Sequence, residues 1–227
     1  MLGAVTLAAV AVLALLALVA SPDDVELGDT VRLLYVHVPV VTAAYLCILL
    51  VTVGSMLVLW RKSPWWDLVA SSAAELAALL TALTLLTGSV WGASTWGTWW
   101  EWDPRLTSTA MLFLLLLGYL AVRRATVDHR ARAKRSAIVG LLLLPNVVIV
   151  NRSVEWWRSL HQSATLFRPD PAIEGLQLFT LVFGIGTALL LTVWLLLHRF
   201  RLAWMQDRFD ERGLEDALAA RRAEAAS

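Results

Sequence analysis

The chain alternates long apolar runs with short polar segments. An α-helix needs about 20 apolar residues, at about 1.5 Å per residue, to cross the hydrocarbon core of a bilayer. The apolar runs have about this length, and the segments between them are rich in glycine, proline and charged residues. The pattern predicts six transmembrane helices, over residues 2–20, 40–60, 68–90, 106–122, 136–156 and 176–198.

Two of the predicted helices have special features. For residues 2–20 the alternative is a cleaved signal peptide, but no basic residues precede the run and the cleavage context around Ala20 is weak. We therefore expect this helix to be retained. Pro145 is expected to kink the fifth helix, because proline lacks the N–H that would continue the helical hydrogen bonds.

The composition is typical of a membrane protein. Apolar residues make up 59% of the 227 residues, charged residues make up 16%, and the mean hydropathy is +0.67, whereas about a quarter of a soluble domain is charged. The single cysteine, Cys47, excludes an internal disulfide. The chain has no C-x-x-C-H motif and is therefore not itself a c-type cytochrome. We expect an all-α integral membrane protein that forms a six-helix bundle.

Basic residues are divided unequally between the two sets of loops. Cytoplasmic loops are enriched in lysine and arginine, and 14 of the 19 basic residues lie in segments 61–67, 123–135 and 199–227. We therefore expect these segments and both termini to be cytoplasmic. The outer face is then formed by residues 21–39, 91–105 and 157–175. Its five basic residues are Arg32, Arg105, Arg152, Arg158 and Arg168.

The predicted domain organisation is a membrane domain, residues 1–198, followed by a charged cytoplasmic tail, residues 199–227. Glu75 lies inside the third apolar run, where a carboxylate is a functional candidate by default. We expect it instead to form an ion pair with Arg61 or Lys62.

Five of the chain's twelve tryptophans lie within twelve residues of the middle outer segment. An aromatic belt at the membrane interface would spread such residues around several helix ends, so it explains this cluster poorly. If residues 96–103 form a short helix, one face of that helix carries Trp96, Trp99, Trp100 and Asp103. We therefore expect a flat aromatic platform for a large planar ligand, with Gly92 and Gly97 allowing close approach. The platform residues are Trp91, Trp96, Trp99, Trp100 and Trp102.

Two of the four histidines, His37 and His161, lie in the outer segments on either side of the tryptophans. A lone histidine is more often structural, but haem iron takes two axial ligands and imidazole is a common one. We expect one histidine from each segment to bind the iron of the same haem. Its propionates would lie near Arg105 and Arg158, since a guanidinium pairs well with a carboxylate. Asp103 is expected to anchor Arg105 or to contact a partner.

Three elements together resemble the tryptophan-rich (WWD) haem-handling membrane proteins of cytochrome c biogenesis, and among them the haem exporter protein C (CcmC) family. They are W-G-x-x-x-W-G-T-W-W-x-W-D-x-R-L-T over residues 91–107, Y-x-H-V-P over 35–39, and S-V-E-W-W-x-x-L-H-Q over 153–162. The resemblance implies that His37 and His161 are the axial haem ligands. It also implies that the signature residues contact haem and face a partner.

The resemblance has further implications for cofactor, partners and location. It implies that haem b is bound at the periplasmic face of the bacterial inner membrane and is transferred to a periplasmic haem chaperone. The other implied partners are the membrane and ATP-binding subunits of an ABC transporter, a small membrane subunit and the lipid bilayer; no nucleic acid is expected. These implications describe a haem-transfer protein and not an enzyme.

Two other functions remain open. One is a haem lyase that joins haem to apocytochrome thioethers, but members of the superfamily that resemble lyases have additional spans and histidines. The other is a permease that moves haem through its own core. A permease would need polar residues at the membrane midplane for the propionates, and apart from Glu75 the predicted spans have few.

Overall fold

The computed structural model describes residues 1–25, 28–161 and 173–226, apart from some side chains after Asp210. Within these ranges the chain is helical and has no β-strand. Helix α1 (Leu2–Leu15) continues into a π-helical turn over Leu16–Ala20. The other helices are α2 (Val31–Arg61), α3 (Pro64–Trp96), α4 (Pro104–Ala125), α5 (His129–Leu141), α6 (Leu143–Trp156) and α7 (Gly175–Ala226).

Six helical segments in the described part of the chain are long and apolar enough to cross a membrane, as the sequence predicts. The fifth of these spans consists of α5 and α6 together, over His129–Trp156. It is interrupted at Leu142, three residues before Pro145. Because Pro145 cannot donate to the carbonyl of Leu141, the regular helix breaks here. The expected irregularity of this helix is confirmed.

Two helices extend beyond the apolar runs that predicted them. Helix α2 begins at Val31 and not at residue 40, and α3 continues to Trp96 and not only to residue 90. His37 and Trp91 therefore lie inside helices. Their positions are set by regular backbone geometry and not by loops.

Helix α2 is the centre of the bundle and packs most extensively against α3, and also against α5 and α7. Gly54 marks a close approach of α2 and α3, since a Cβ atom at this position would lie 2.9 Å from the Cβ of Ala70. Buried alanines continue this interface along α3. Small residues let membrane helices approach closely, and here they hold α2 and α3 together over the halves nearest the turn that joins the two helices.

Helix α7 runs without interruption from Gly175 to Ala226. The predicted boundary at residue 199 is therefore not a break in the backbone. Gly184 of α7 packs against α2, where an added Cβ would lie 3.2 Å from Cγ of Pro39. This small residue thus packs within the chain.

The two ends of the bundle differ chemically. At the end that we call the tryptophan end, α2 and α4 begin and α3 and α6 end. At the opposite end, the arginine end, Arg123 of α4 pairs with Asp67 of α3, with Nη2 2.9 Å from Oδ2. A second nitrogen of Arg123 also contacts Asp67 and lies 3.2 Å from the hydroxyl of Ser136.

Glu75 also forms an ion pair, but with Arg199 of α7, whose Nη2 lies 2.7 Å from Oε1. The expected pairing with Arg61 or Lys62 is wrong. Glu75 lies roughly 16 Å along α3 from Pro64, which is too far for side chains in the turn before α3. Helix α7 runs beside α3 and brings Arg199 level with Glu75.

Candidate functional site

The tryptophan segment is an irregular turn, so the expected short helix over residues 96–103 is wrong. Helix α3 ends at Trp96, and Gly97 follows in the left-handed region with φ +78°, where glycine is favoured. Helix α4 begins at Pro104, and Asp103 before it is extended. A residue that precedes proline avoids the helical conformation. Residues 97–103 consequently cross from α3 to α4 without a common face.

His37 lies in α2, and its ring is positioned by α3. Its Nδ1 lies 2.8 Å from Oγ1 of Thr87, and Trp91 packs edge to face against the ring at a centroid distance of 5.8 Å. Gly88 leaves space for the imidazole, since a Cβ there would lie 3.3 Å from Cε1. No described residue forms a hydrogen bond with Nε2. One turn of α3 therefore sets the orientation of this histidine and leaves one ring nitrogen open.

His161 lies in the segment after α6 and is held in a similar way. Its ring packs edge to face on Trp96, with centroids 4.7 Å apart. Its Nδ1 lies 3.0 Å from Oδ1 of Asp103, and the side chain is 22% exposed. Each histidine is thus paired with one tryptophan from the end of α3, and each is bound at Nδ1.

Asp103 joins the start of α4 to the segment that carries His161. Its Oδ1 accepts the backbone N–H of Arg105 at 2.8 Å and so caps α4. Its Oδ2 accepts the N–H of Leu160 at 2.8 Å and the hydroxyl of Ser159 at 2.7 Å. Burial raises the pKa of Asp103, but these hydrogen bonds and nearby His161 outweigh it, so the pKa is lowered. Asp103 thus holds the backbone of Arg105 at the start of α4; the contact with His161 was not predicted.

The two histidines and Arg105 share one electrostatic environment. Arg105 is half-buried and its charge acts on both imidazoles. Burial lowers the pKa of His161 most, Asp103 raises it, and Arg105 lowers it further; the net pKa is lowered. Neutral imidazole, which can bind a metal, is therefore favoured at His161.

The remaining candidate residues lie further from the histidines. Trp99 and Trp102 are 66% and 80% exposed, and Trp100 packs edge to face against Trp102. Arg158 is exposed. Because Trp100 and Trp102 meet edge to face, these two rings do not lie in one plane as a flat platform would require. Gln162, Arg168 and most of the third outer segment lie outside the described residues.

Sequence analysis missed Thr87, Gly88 and Ser159. Thr87 and Gly88 lie inside an apolar run, where a threonine and a glycine are ordinary packing residues. Helical spacing was the signal that could have identified them, because Thr87 is four residues before Trp91 and Gly88 is four before Gly92.

Comparison with known proteins adds an independent result. The profile of a family described as heme exporter protein C matches residues 1–214. The chain is 40% identical to heme exporter protein C of Bradyrhizobium diazoefficiens, over 65% of this chain and 56% of that protein. It is 36% identical to heme exporter protein C of Haemophilus influenzae, over 82% of this chain and 76% of the relative. The corresponding Escherichia coli protein is 35% identical over 80% of this chain and 73% of its own length.

Proposed function

The chain belongs to the haem exporter protein C family, whose role is haem handling in cytochrome c biogenesis, and on this premise we propose that it holds haem at its outer face for transfer. His37 and His161 are the two axial ligands of one haem b. The recipient is a periplasmic haem chaperone. The protein acts as a transfer component and not as an enzyme.

The observation that carries this proposal is the convergence of two histidines from distant parts of the chain on the end of α3. Each is bound at Nδ1 and packs on a tryptophan, and the two lie within electrostatic reach of each other. Haem iron needs two axial ligands with free lone pairs. The residues present fit that requirement, because no described residue forms a hydrogen bond with Nε2 of either ring.

The surroundings of the histidines also fit a planar ligand with an apolar body and two carboxylates. Trp91 and Trp96 line the histidines, and aromatic rings favour packing with large apolar surfaces. Half-buried Arg105 supplies a guanidinium suited to a propionate. Exposed Trp99 and Trp102 offer an apolar surface to the haem edge or to the recipient.

The proposal includes the orientation of the bundle in the membrane. The tryptophan end faces the periplasm, and the arginine end, with 14 of 19 basic residues in its segments, faces the cytoplasm. Reporter fusions after Lys62 and Arg135 are expected to report a cytoplasmic location, and fusions after Asp29 and Ser94 a periplasmic one. The reverse pattern would place the histidines on the wrong side for delivery.

We further propose that the protein works in a complex with the membrane and ATP-binding subunits of an ABC transporter and a small membrane subunit. The word exporter in the name of its family supports such an assembly. Neither a lyase nor a permease is favoured by a specific contact. The charged side chains Asp67, Glu75, Arg123 and Arg199 within the spans already form two ion pairs.

Delivery is tested by co-expressing the protein with a haem chaperone in haem-replete cells and purifying both in mild detergent. The proposal predicts a coloured membrane protein and covalently bound haem on the chaperone. His37→Ala and His161→Ala are expected to reduce both signals. A colourless membrane protein, with or without the chaperone, would contradict the proposal.

A further inference from the structure

The two histidines differ in the group that holds Nδ1. For His37 that group is the hydroxyl of Thr87, which also lies 2.8 Å from the carbonyl oxygen of Leu83. A hydroxyl has one proton, and a carbonyl cannot donate. Both contacts are hydrogen bonds at once only when the hydroxyl proton goes to Leu83 and the oxygen of Thr87 accepts the N–H of His37. This assigns the proton to Nδ1 and leaves the lone pair on Nε2.

For His161 the group is the carboxylate of Asp103. This carboxylate accepts hydrogen bonds from the N–H of Arg105, the N–H of Leu160 and the hydroxyl of Ser159. Three donors already surround the two carboxylate oxygens, which favours the ionised form, and an ionised carboxylate is an acceptor only. Nδ1 of His161 is therefore the fourth donor, and here too the lone pair lies on Nε2.

From this difference, and resting on the proposed function, we infer that the two histidines are unequal ligands. Asp103 is a positioning residue that makes His161 the stronger ligand, which retains the haem, while His37 is the ligand that is released first at transfer. A charge-assisted hydrogen bond is roughly twice as strong as a neutral one. A carboxylate that accepts a hydrogen bond from Nδ1–H makes the imidazole a better electron donor to the metal. A threonine hydroxyl is neutral, so its effect is weaker.

The location of the two ligands agrees with this division. His161 and Asp103 belong to one hydrogen-bonded unit, in which Ser159 also accepts the N–H of His161 at 3.0 Å. His37 is fixed by packing on α3, and its hydrogen bond is to a neutral group. Losing the bond between iron and His37 would therefore leave the haem on His161, beside Trp96.

The test uses the haem-loaded full chain in mild detergent and has two measurements. One is the midpoint potential of the haem iron, obtained by an anaerobic absorption titration. The other is the rate of haem loss to excess apomyoglobin. Asp103→Asn is expected to raise the midpoint potential and to speed haem loss by roughly 10- to 100-fold, the usual range for removing such a partner. Thr87→Val is expected to change both measurements less.

Two control variants separate this role from a loss of charge or of local structure. Glu101→Gln removes an exposed carboxylate from the same segment and should leave the potential unchanged. Ser159→Ala removes one donor to Asp103 and one acceptor for the backbone N–H of His161, but it keeps the carboxylate on Nδ1, so it should shift the potential less than Asp103→Asn. An Asp103→Asn potential equal to that of these controls would overturn the inference.

The order of release is tested with the single histidine variants, which leave Asp103 intact. His161→Ala is expected to lose haem faster than His37→Ala. Equal rates, or faster loss from His37→Ala, would overturn the inference while leaving the proposed haem site intact. An unaltered protein that binds no haem at all would overturn the proposed function as well.

Discussion

A buried carboxylate links distant segments at each end of the bundle, but the two carboxylates bind different partners. Asp67, with its side chain 11% exposed, meets the guanidinium of Arg123 through two contacts. Asp103, with its side chain 2% exposed, accepts hydrogen bonds from two backbone groups, a serine and His161. The pair at the arginine end is satisfied within the fold. At the tryptophan end, Asp103 holds Nδ1 of an imidazole, and no described residue forms a hydrogen bond with the other ring nitrogen.

The comparison shows that a buried carboxylate can hold helices together and can also orient a histidine. A buried charge is tolerated when its partners satisfy it, and removing a partner leaves a large penalty. Asp67 and Arg123 therefore hold α3 against α4. Asp103 also holds segments together, but one of its partners can bind iron in addition. Substitutions at the arginine end should change the free energy of unfolding. Substitutions at the tryptophan end should change haem retention and the haem spectrum.

The largest expected effect on stability is that of Arg123→Met. The substitution leaves Asp67 buried without its cation, which should lower the free energy of unfolding by about 3–5 kcal/mol. Denaturant titration in detergent micelles measures this change. The folded fraction should keep the unaltered haem spectrum.

The double variant Asp67→Asn with Arg123→Met is the matched control, because it removes both charges. It should recover much of the lost stability. A single Arg123→Met variant as stable as the unaltered protein would show that the ion pair does not hold the arginine end together.

At the tryptophan end, Trp96→Ala should weaken haem retention because this ring packs on His161. An aromatic contact adds about 0.5–1.5 kcal/mol beyond burial, which corresponds to a roughly 2- to 12-fold faster loss of haem. Trp102→Ala, at a ring that is 80% exposed, is the control and should have a smaller effect. Equal effects of the two substitutions on the rate of haem loss would remove the special role of Trp96.

A smaller effect is expected from Gly88→Ala. The new Cβ would lie 3.3 Å from Cε1 of His37, so the ring must move by a few tenths of an ångström. Haem coordination should change slightly, as seen in the absorption spectrum, with little change in unfolding. Gly118→Ala is the matched control, since nothing lies within 4 Å of a Cβ at Gly118. A spectrum identical to that control would show that the ring tolerates the methyl group.

The smallest effect on stability is expected from Glu75→Gln. The side chains of Glu75 and Arg199 are 39% and 36% exposed, and glutamine keeps an oxygen that can accept a hydrogen bond from Arg199. Denaturant titration should therefore show a loss well below that of Arg123→Met. A loss as large as that of Arg123→Met would mean that the two pairs at this end are equivalent.

The sequence predicts the six spans because long apolar runs have few alternatives to membrane helices. It does not predict where α2 begins or α3 ends, since histidine, proline, tryptophan and glycine at those ends lower the local hydropathy. Residues 31–39 and 91–96 look like loops for this reason, although they are helical. Gly97 and Pro104 mark the true boundaries through their backbone preferences.

The candidate residues could be chosen from their chemical types, but their contacts could not. Histidines and tryptophans on one side of the membrane are visible in the sequence. The bonds from Asp103 to His161 and from Glu75 to Arg199 depend on which helices are neighbours. That arrangement is set by packing of small residues such as Gly54 and Gly184, and no local pattern specifies it.

The most direct test of the account is the absorption spectrum of the purified protein with His37 and His161 replaced singly and together by alanine. The account predicts a six-coordinate haem in the unaltered protein and altered coordination in each single variant. Added imidazole should restore the spectrum of either single variant, because it can occupy the vacated position. The double variant should contain almost no haem. If it kept its haem and still delivered it, both histidines would be structural, and the tryptophan segment would be a docking surface for the recipient.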